Sequence, residues 1–403
     1  MTEPGARIVF FGTFYPRHYR AGNSSTGIVT ALSRSDRVER IVVFAPHGSG
    51  VPPGARADRI DLRMTWQHDS VVGLALTYVR MLRAARSADE VLFNMYVTSF
   101  GRSPAANALG LLLPSMVAKL SRRPVRVYMH NFLETQDVEQ LGYRPSRLVR
   151  WSVRTLERWL VGATRVAVPL KSQQAALRRV AGFEVDQLLL PYIESLPGAY
   201  TLLEREPSPA TDAAAAGTGR LRVLLFGTWG PQKDLVGVVR VLDRLIRSGM
   251  PLDVTVAGSV NPSFPEYAQE LDRLRVTTLP PSIRFLGAVP ETDVLRLTFD
   301  HDVLILPYHA TGGYSGAMNL GALAGIGIVA YDLPQLREFA DDLGIVAQFV
   351  PAGDLGRMRE ALGAELARGR GADQGRDGLR ARLERTLASV ERLAGVDRPR
   401  PTN

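Results

Sequence analysis

Lysine is scarce in this chain: Lys119, Lys171 and Lys233 stand against 46 arginines. Lys233 falls in Gly227-Thr228-Trp229-Gly230-Pro231-Gln232-Lys233-Asp234, just past a strand-like run and ahead of a helical one. A point cation there could neutralise a diphosphate, although a solvated surface lysine reads the same way. A second loop, Leu306 to Asn319 (LPYHATGGYSGAMN), runs into a helix near Ser315. Ser315 and the N–H groups of Gly316 and Ala317 would form an anion site at that helix N-terminus. The small residues Gly321, Ala322 and Ala324 also fit a plainer purpose, close packing of helix on sheet. A third loop spans Gly12 to Gly27 (GTFYPRHYRAGNSSTG). Gly22 and Gly27 let backbone approach a ligand, and Asn23, Ser24, Ser25 and Thr26 offer hydroxyls, an N-cap and N–H groups. His130 closes the run Val125-Arg126-Val127-Tyr128-Met129. A histidine there could exchange a proton or contact a hydroxyl near neutral pH, or be structural.

What is missing narrows the chemistry. The chain has no cysteine, which removes disulfides, thiolate metal sites and a cysteine nucleophile. There is no His-x-Glu-x-x-His arrangement, and the expectation is a site without metal.

These loops must be held by strands. Ile8 to Phe11, Ile41 to Ala45, Val91 to Phe93 and Val125 to Met129 are short apolar runs separated by helical patterns such as Val71 to Arg86. The alternation starts again at Leu221, with Val223 to Phe226, Leu252 to Gly258, Ile283 to Gly287, Val303 to Leu306 and Ile328 to Ala330. Arg7 to Phe14 (RIVFFGTF) and Arg222 to Trp229 (RVLLFGTW) share four of eight positions. Buried first strands look alike, but both matches fall where a half opens its first strand-to-loop turn. The pattern predicts two α/β, Rossmann-like, doubly wound domains with parallel sheets, and ligands at the carboxyl ends of their strands. Glu204 to Arg220 has linker composition. The boundaries drawn are residues 1–203, a linker at 204–220, a second domain at 221–360, and C-terminal helices and tail at 361–403.

The net charge of +9 is lopsided: residues 1–200 hold 26 Lys and Arg against 15 Asp and Glu, the remainder 23 against 25. A basic first half suits an anionic acceptor or an acidic lipid surface, or is simply an arginine-rich solvated face. From Arg147, a helix RLVRWSVRTLERWLVG would gather Arg147, Arg150, Arg154 and Arg158 in one stripe of about 80°, with Trp151 beside them. Leu148, Val149, Val153, Leu156, Trp159 and Leu160 take the other side. Such a helix could rest on anionic lipid, or pack its apolar side on its own domain. The most apolar stretch, Ala108 to Ala118, is interrupted by Pro114, and the N-terminus has no signal-peptide pattern. The expectation is a cytoplasmic protein, with peripheral contact to the inner face of a membrane left open. No aromatic–basic stacking motif points to nucleic acid.

In their order, these loops resemble the GT-B glycosyltransferases, specifically the retaining family 4. The likeness lies mainly in FGTWGPQKD, LDVTVAGS, IRFLGAVPETDVLRL, DHDVLILPY, GYSGAMNLGALAGIGIVAYDLPQLREF and FVPAGD, over Arg222 to Asp354. The first half matches through its opening strand, glycine loop and VYMHN. The resemblance implies two Rossmann-like domains facing across a cleft, and hexosyl transfer from a nucleoside diphosphate sugar to a small-molecule, glycan or lipid-linked acceptor hydroxyl. It implies retention, and neither metal nor other cofactor. It places Lys233 on the diphosphate, the Ser315–Gly316–Ala317 turn on the phosphates, His130 near the sugar, and the Gly22 to Gly27 loop over the diphosphate. Thr228 stands where the family usually has an arginine, and Gly313 and Gly321 align with its two glutamates. These departures keep two alternatives in view: an inactive homologue that binds nucleotide sugar or scaffolds a pathway, and a GT-B-fold epimerase.

Overall fold

The computed structural model describes residues 5–12, 14, 24–97, 99–101, 103–132, 147–193, 196–204, 219–261, 264–276, 279–311, 315–368 and 376–397. Gly22, Asn23 and Gly313 lie outside them. The chain divides into two compact units, Met1–Pro197 with Leu383–Asn403, and Gly198–Arg382.

The first unit is built on seven parallel strands: β1 (Ala6–Gly12), β2 (Val38–Pro46), β3 (Ile60–Trp66), β4 (Glu90–Met95), β5 (Val125–Met129), β6 (Arg165–Val168) and β7 (Asp186–Gln187). Their order is β3-β2-β1-β4-β5-β6-β7. The connecting helices are α1 (Ser24–Arg34), α2 (Val71–Ala85), α3 (Pro104–Ser121), α4 (Arg147–Ala163) and α5 (Lys171–Ala181). Helices on the sheet bury the central strands on both sides, which is why Ile8 to Phe11 is apolar without alternation. Phe11 anchors this core, with its ring 5.6 Å from Trp66, 5.5 Å from Phe93 and 5.9 Å from Phe100. The edge strand β3, IDLRMTW, alternates polar and apolar residues and has no continuous apolar run to announce it.

Pro114 does not end its helix: α3 continues through it for 18 residues, opened by Ser103, whose hydroxyl accepts from Ala106 N–H. No helix among the described residues is long and apolar enough to cross a membrane. In α4, Val153 and Leu156 pack on the core and Leu160 is fully buried. Trp159, expected with them, is instead exposed, with the Lys119 ammonium 5.3 Å over its ring.

Across the unit boundary runs α6 (Leu196–Glu204). The second unit has six parallel strands: β8 (Leu221–Trp229), β9 (Leu252–Val260), β10 (Ile283–Gly287), β11 (Val303–Leu306), β12 (Gly327–Tyr331) and β13 (Ala347–Val350), ordered β10-β9-β8-β11-β12-β13. Between and after them come α7 (Leu235–Arg247), α8 (Pro265–Arg275), α9 (Glu291–Phe299), α10 (Gly316–Ala324), α11 (Pro334–Leu343), α12 (Leu355–Arg368) and α13 (Arg376–Ala394). Its core is separate, centred on Val223, Leu225, Val239, Leu242, Val254 and Ile305.

The end of α13 belongs to the first unit, whereas the sequence reading set 361–403 apart. Glu391 accepts from the Ser35 hydroxyl at 2.6 Å, and the Arg37 guanidinium donates to Val396 O at 3.1 Å. In both sheets the strand order reverses beside the first strand, at β1/β4 and at β8/β11. Open parallel sheets collect ligands at the carboxyl ends of such pairs.

Candidate functional site

In the second unit, two loops meet at the β8/β11 reversal. The loop after β8 is stitched to the loop after β11 by Asp234 N–H donating to Pro307 O (2.7 Å) and His309 N–H donating to Gln232 O (2.9 Å). An antiparallel bridge pairs Lys233 with Tyr308. Tyr267 completes the frame: its hydroxyl donates to Lys233 O (2.8 Å) and accepts from Leu235 N–H (3.1 Å). Burial pushes that phenol up to about 12, so it stays protonated.

The frame fixes Lys233. Its ammonium lies 4.7 Å from the Tyr308 ring centroid, and a Cβ built on Gly227 would stand only 3.0 Å from Nζ. The cation is thus drawn back over the end of β8 by a ring face on one side and a bare backbone on the other. Thr228, the penultimate residue of β8, pairs in register with Ser259 of β9.

The same post-β11 chain leads to Ser315, the N-cap of α10. The buried Ser315 hydroxyl accepts from Met318 N–H at 3.2 Å. The hydroxyl is therefore committed to the helix, and the groups aimed outward are the Gly316 and Ala317 N–H, for which a helix has no internal acceptor. Gly321 faces the sheet instead: a Cβ there would come within 2.9 Å of Leu304 Cδ2 and 3.5 Å of Ile328. This position serves helix–sheet packing, and a carboxylate on it would enter an apolar interface rather than meet a ligand.

Asp234, unassigned by the sequence reading, organises this corner. Its carboxylate caps α7 by accepting from Gly237 N–H (2.9 Å), accepts from the Tyr331 hydroxyl (3.2 Å) and lies 3.6 Å from His309 Nε2. Burial and the Asp234 charge both raise the Tyr331 phenol far above its usual range. Beside this corner is a cavity of about 350 Å³ whose lining includes Pro231, Asp234, Phe264, Glu266, Tyr267 and His309. Neither Lys233 nor Ser315 lines it, and its acids have the wrong sign for a phosphate. Among the described residues no group of three or more His, Asp or Glu side chains is placed to hold a metal.

In the first unit, the ends of β1, β4 and β5 meet the start of α1. His130 is buried, with Nε2 at 2.8 Å from both Ser24 Oγ and Asn94 Oδ1. Asn94 Nδ2 in turn donates to Ser24 Oγ (2.9 Å) and Ser25 Oγ (2.7 Å). Because Asn94 Oδ1 can only accept, Nε2 carries the imidazole proton. The ring stacks on Tyr96, centroids 4.3 Å apart, and meets Tyr128 edge-on. Burial lowers its pKa to about 3, so the imidazole is neutral at physiological pH. Gln173 Nε2 donates to the His130 carbonyl at 3.2 Å.

This network seats the first turn of α1. Gly27 lies against Ile193, where any Cβ would overlap the Ile193 carbonyl oxygen, so the glycine is a packing requirement. Thr26 Oγ1, buried one residue earlier, has no hydrogen-bond partner among the described residues. The sequence named Ser24, Ser25 and His130 without connecting them. Asn94, which joins all three, carried no local signal beyond its place at a strand end.

No family model matches the sequence, and no curated protein matches it. Solved structures do match in fold. HepE from Anabaena in complex with UDP is 14% identical over 97% of each chain, with a TM-score of 0.59. A sucrose-phosphate synthase from Thermosynechococcus elongatus is 12% identical over 97% of this chain and 96% of its own, with a TM-score of 0.60. A glycosyltransferase from Rickettsia africae is 10% identical over 97% and 94%, with a TM-score of 0.62. From end to end the chain has the architecture of these proteins, the GT-B fold with its two Rossmann-like units.

Proposed function

We propose that this protein transfers a hexosyl group from a nucleoside diphosphate sugar to an acceptor hydroxyl, with the donor diphosphate held in the second unit. One observation carries the reading: Lys233 is the cation fixed at the β8/β11 reversal, on a loop stitched to the chain that presents the Gly316 and Ala317 N–H groups. It is supported by the shared fold with HepE, whose structures hold UDP and UDP-glucose.

Cleaving the bond between sugar and diphosphate leaves negative charge on the departing oxygen. A preorganised ammonium and helix N–H groups favour that state over the ground state, which lowers the barrier. Retention at the anomeric carbon, and turnover without a metal or other cofactor, complete the proposal. His130 enters as a positioning residue, holding Ser24, Ser25 and Asn94 so that α1 opens at a fixed place. The acceptor side is assigned to the first unit.

The direct test supplies purified protein with UDP-, GDP-, ADP- and dTDP-hexoses and measures release of nucleoside diphosphate, with and without candidate acceptors and a chelator. Release by the native protein that falls by orders of magnitude in Lys233→Ala supports the proposal. Release unaffected by Lys233→Ala contradicts the assignment. The geometry of α10 favours a second reading, nucleotide-sugar binding without turnover: the helix carries no carboxylate, and Gly321 faces Leu304. Tight binding with no release from any donor would select it.

A further inference from the structure

Helices α2, α3 and α4 lie side by side, α3 packing against both neighbours. Their outward surface is unusual in two respects. Large apolar side chains stand in solvent along it: Val72 is 71% and Leu76 55% exposed on α2, and Trp151 is 66% and Trp159 58% exposed on α4. The positions 72, 76 and 79 recur at helical spacing, so Val72, Leu76 and Val79 form one stripe. The chain has four tryptophans; the other two, Trp66 and Trp229, are buried.

The second feature is charge. The three helices carry Arg80, Arg83, Lys119, Arg147, Arg150, Arg154 and Arg158 but a single acid, Glu157, and that side chain is fully buried. They present no carboxylate to solvent. Arg80, Arg83, Lys119, Arg150 and Arg158 are exposed, and Arg122 and Arg123 extend the charge beyond α3. The basic excess of the first half therefore has a location.

We infer that the outer face of α2–α4 is a docking surface for an anionic lipid bilayer. Charge and apolarity together select this occupant. Exposed Trp, Val and Leu side chains gain by leaving water for the headgroup–acyl boundary, and the interleaved Arg and Lys reach phosphate at the same depth. A nucleic acid would use the charge but leave the Val72–Leu76–Val79 stripe in water. A second copy of the chain would bring the same positive charge to a face that has none of the opposite sign. The inference rests on the first unit alone and stands whether or not the protein transfers a sugar.

The test uses the full chain with vesicles of phosphatidylcholine alone and of equimolar phosphatidylcholine and phosphatidylglycerol. Co-sedimentation is expected with the second only, weakening as salt rises, with a blue shift of tryptophan emission. Trp151→Ala with Trp159→Ala should lower partitioning about tenfold and abolish the shift, since Trp66 and Trp229 are already buried. Lys119→Glu and Arg158→Glu should each lower it about fivefold or more. All four positions are exposed, and unchanged circular dichroism and melting would show that the variants fold. The inference is overturned if anionic vesicles at low salt retain no protein, or if the variants bind them as the native chain does. It is equally overturned if the same substitutions leave vesicle binding intact while abolishing self-association or RNA binding.

Discussion

The Lys233 ammonium and the Tyr308 ring are stacked 4.7 Å apart, and their backbones pair in a two-residue antiparallel bridge. The bridge joins the loop that carries the cation to the loop that leads into Ser315. The ring prepositions the charge, and its loss should be felt in binding more than in folding. Tyr308→Leu is expected to weaken nucleoside diphosphate affinity about two- to fivefold, as a partly exposed cation–π contact is worth roughly 0.5–1 kcal/mol. Tyr308→Phe keeps the ring face and should stay near the native value. Calorimetric titration of both variants checks the difference.

His130 makes stability depend on pH with a definite sign. Its folded pKa is depressed to about 3, while an unfolded histidine titrates near 6.5. Between those values the unfolded chain holds a proton that the folded chain refuses. Stability from this group is thus intact above about 6.5 and drains away as pH falls toward 3. His130→Asn should cost about 1–3 kcal/mol at neutral pH, because Ser24 and Asn94 lose a buried partner. The same variant should lose less further stability than the native chain between pH 7 and pH 5. Urea midpoints at the two pH values test this; parallel losses would show that His130 is not the buried neutral group described.

Restoring a carboxylate at 321 should not restore a ligand contact. Gly321→Glu would drive its side chain between Leu304 and Ile328, and a thermal melt should show a large destabilisation, about 3 kcal/mol or more, with no gain in nucleotide affinity. Gly27→Ala should also destabilise, because its methyl group would meet the Ile193 carbonyl.

Asp234 separates a cap from a charge. Asp234→Ala should cost about 1 kcal/mol through loss of the α7 N-cap. Asp234→Asn should keep most of the cap and still bring the Tyr331 phenol down, because the Asp234 charge is one of the causes that hold it up. A spectrophotometric phenolate titration reads the shift directly.

Much of the fold was legible because buried parallel strands are written as apolar runs. Val125 to Met129, Ile283 to Gly287 and Val303 to Leu306 are strands over those residues. The edge strand β3 was not, because three of its seven residues are polar and they alternate with the apolar ones. Trp159 was grouped with the apolar side of α4 yet is exposed, because periodicity assigns a side, not a neighbour. Only the structure shows Lys119 above its ring. Lys233 and Ser315, the residues proposed to hold the diphosphate, were singled out through residue type and loop position. Tyr308, Asp234 and Asn94 act across 75, 97 and 36 residues of sequence, on Lys233, Tyr331 and His130 respectively, and no local pattern encodes such partnerships.

The central claim is that Lys233 holds a donor diphosphate in the second unit. Titration calorimetry of UDP and GDP against the native protein and Lys233→Ala tests it most directly. Affinity for at least one nucleotide should fall tenfold or more in the variant, whose melting temperature without nucleotide stays unchanged. Equal affinity in the two proteins, or binding of neither nucleotide by the native chain, would contradict it.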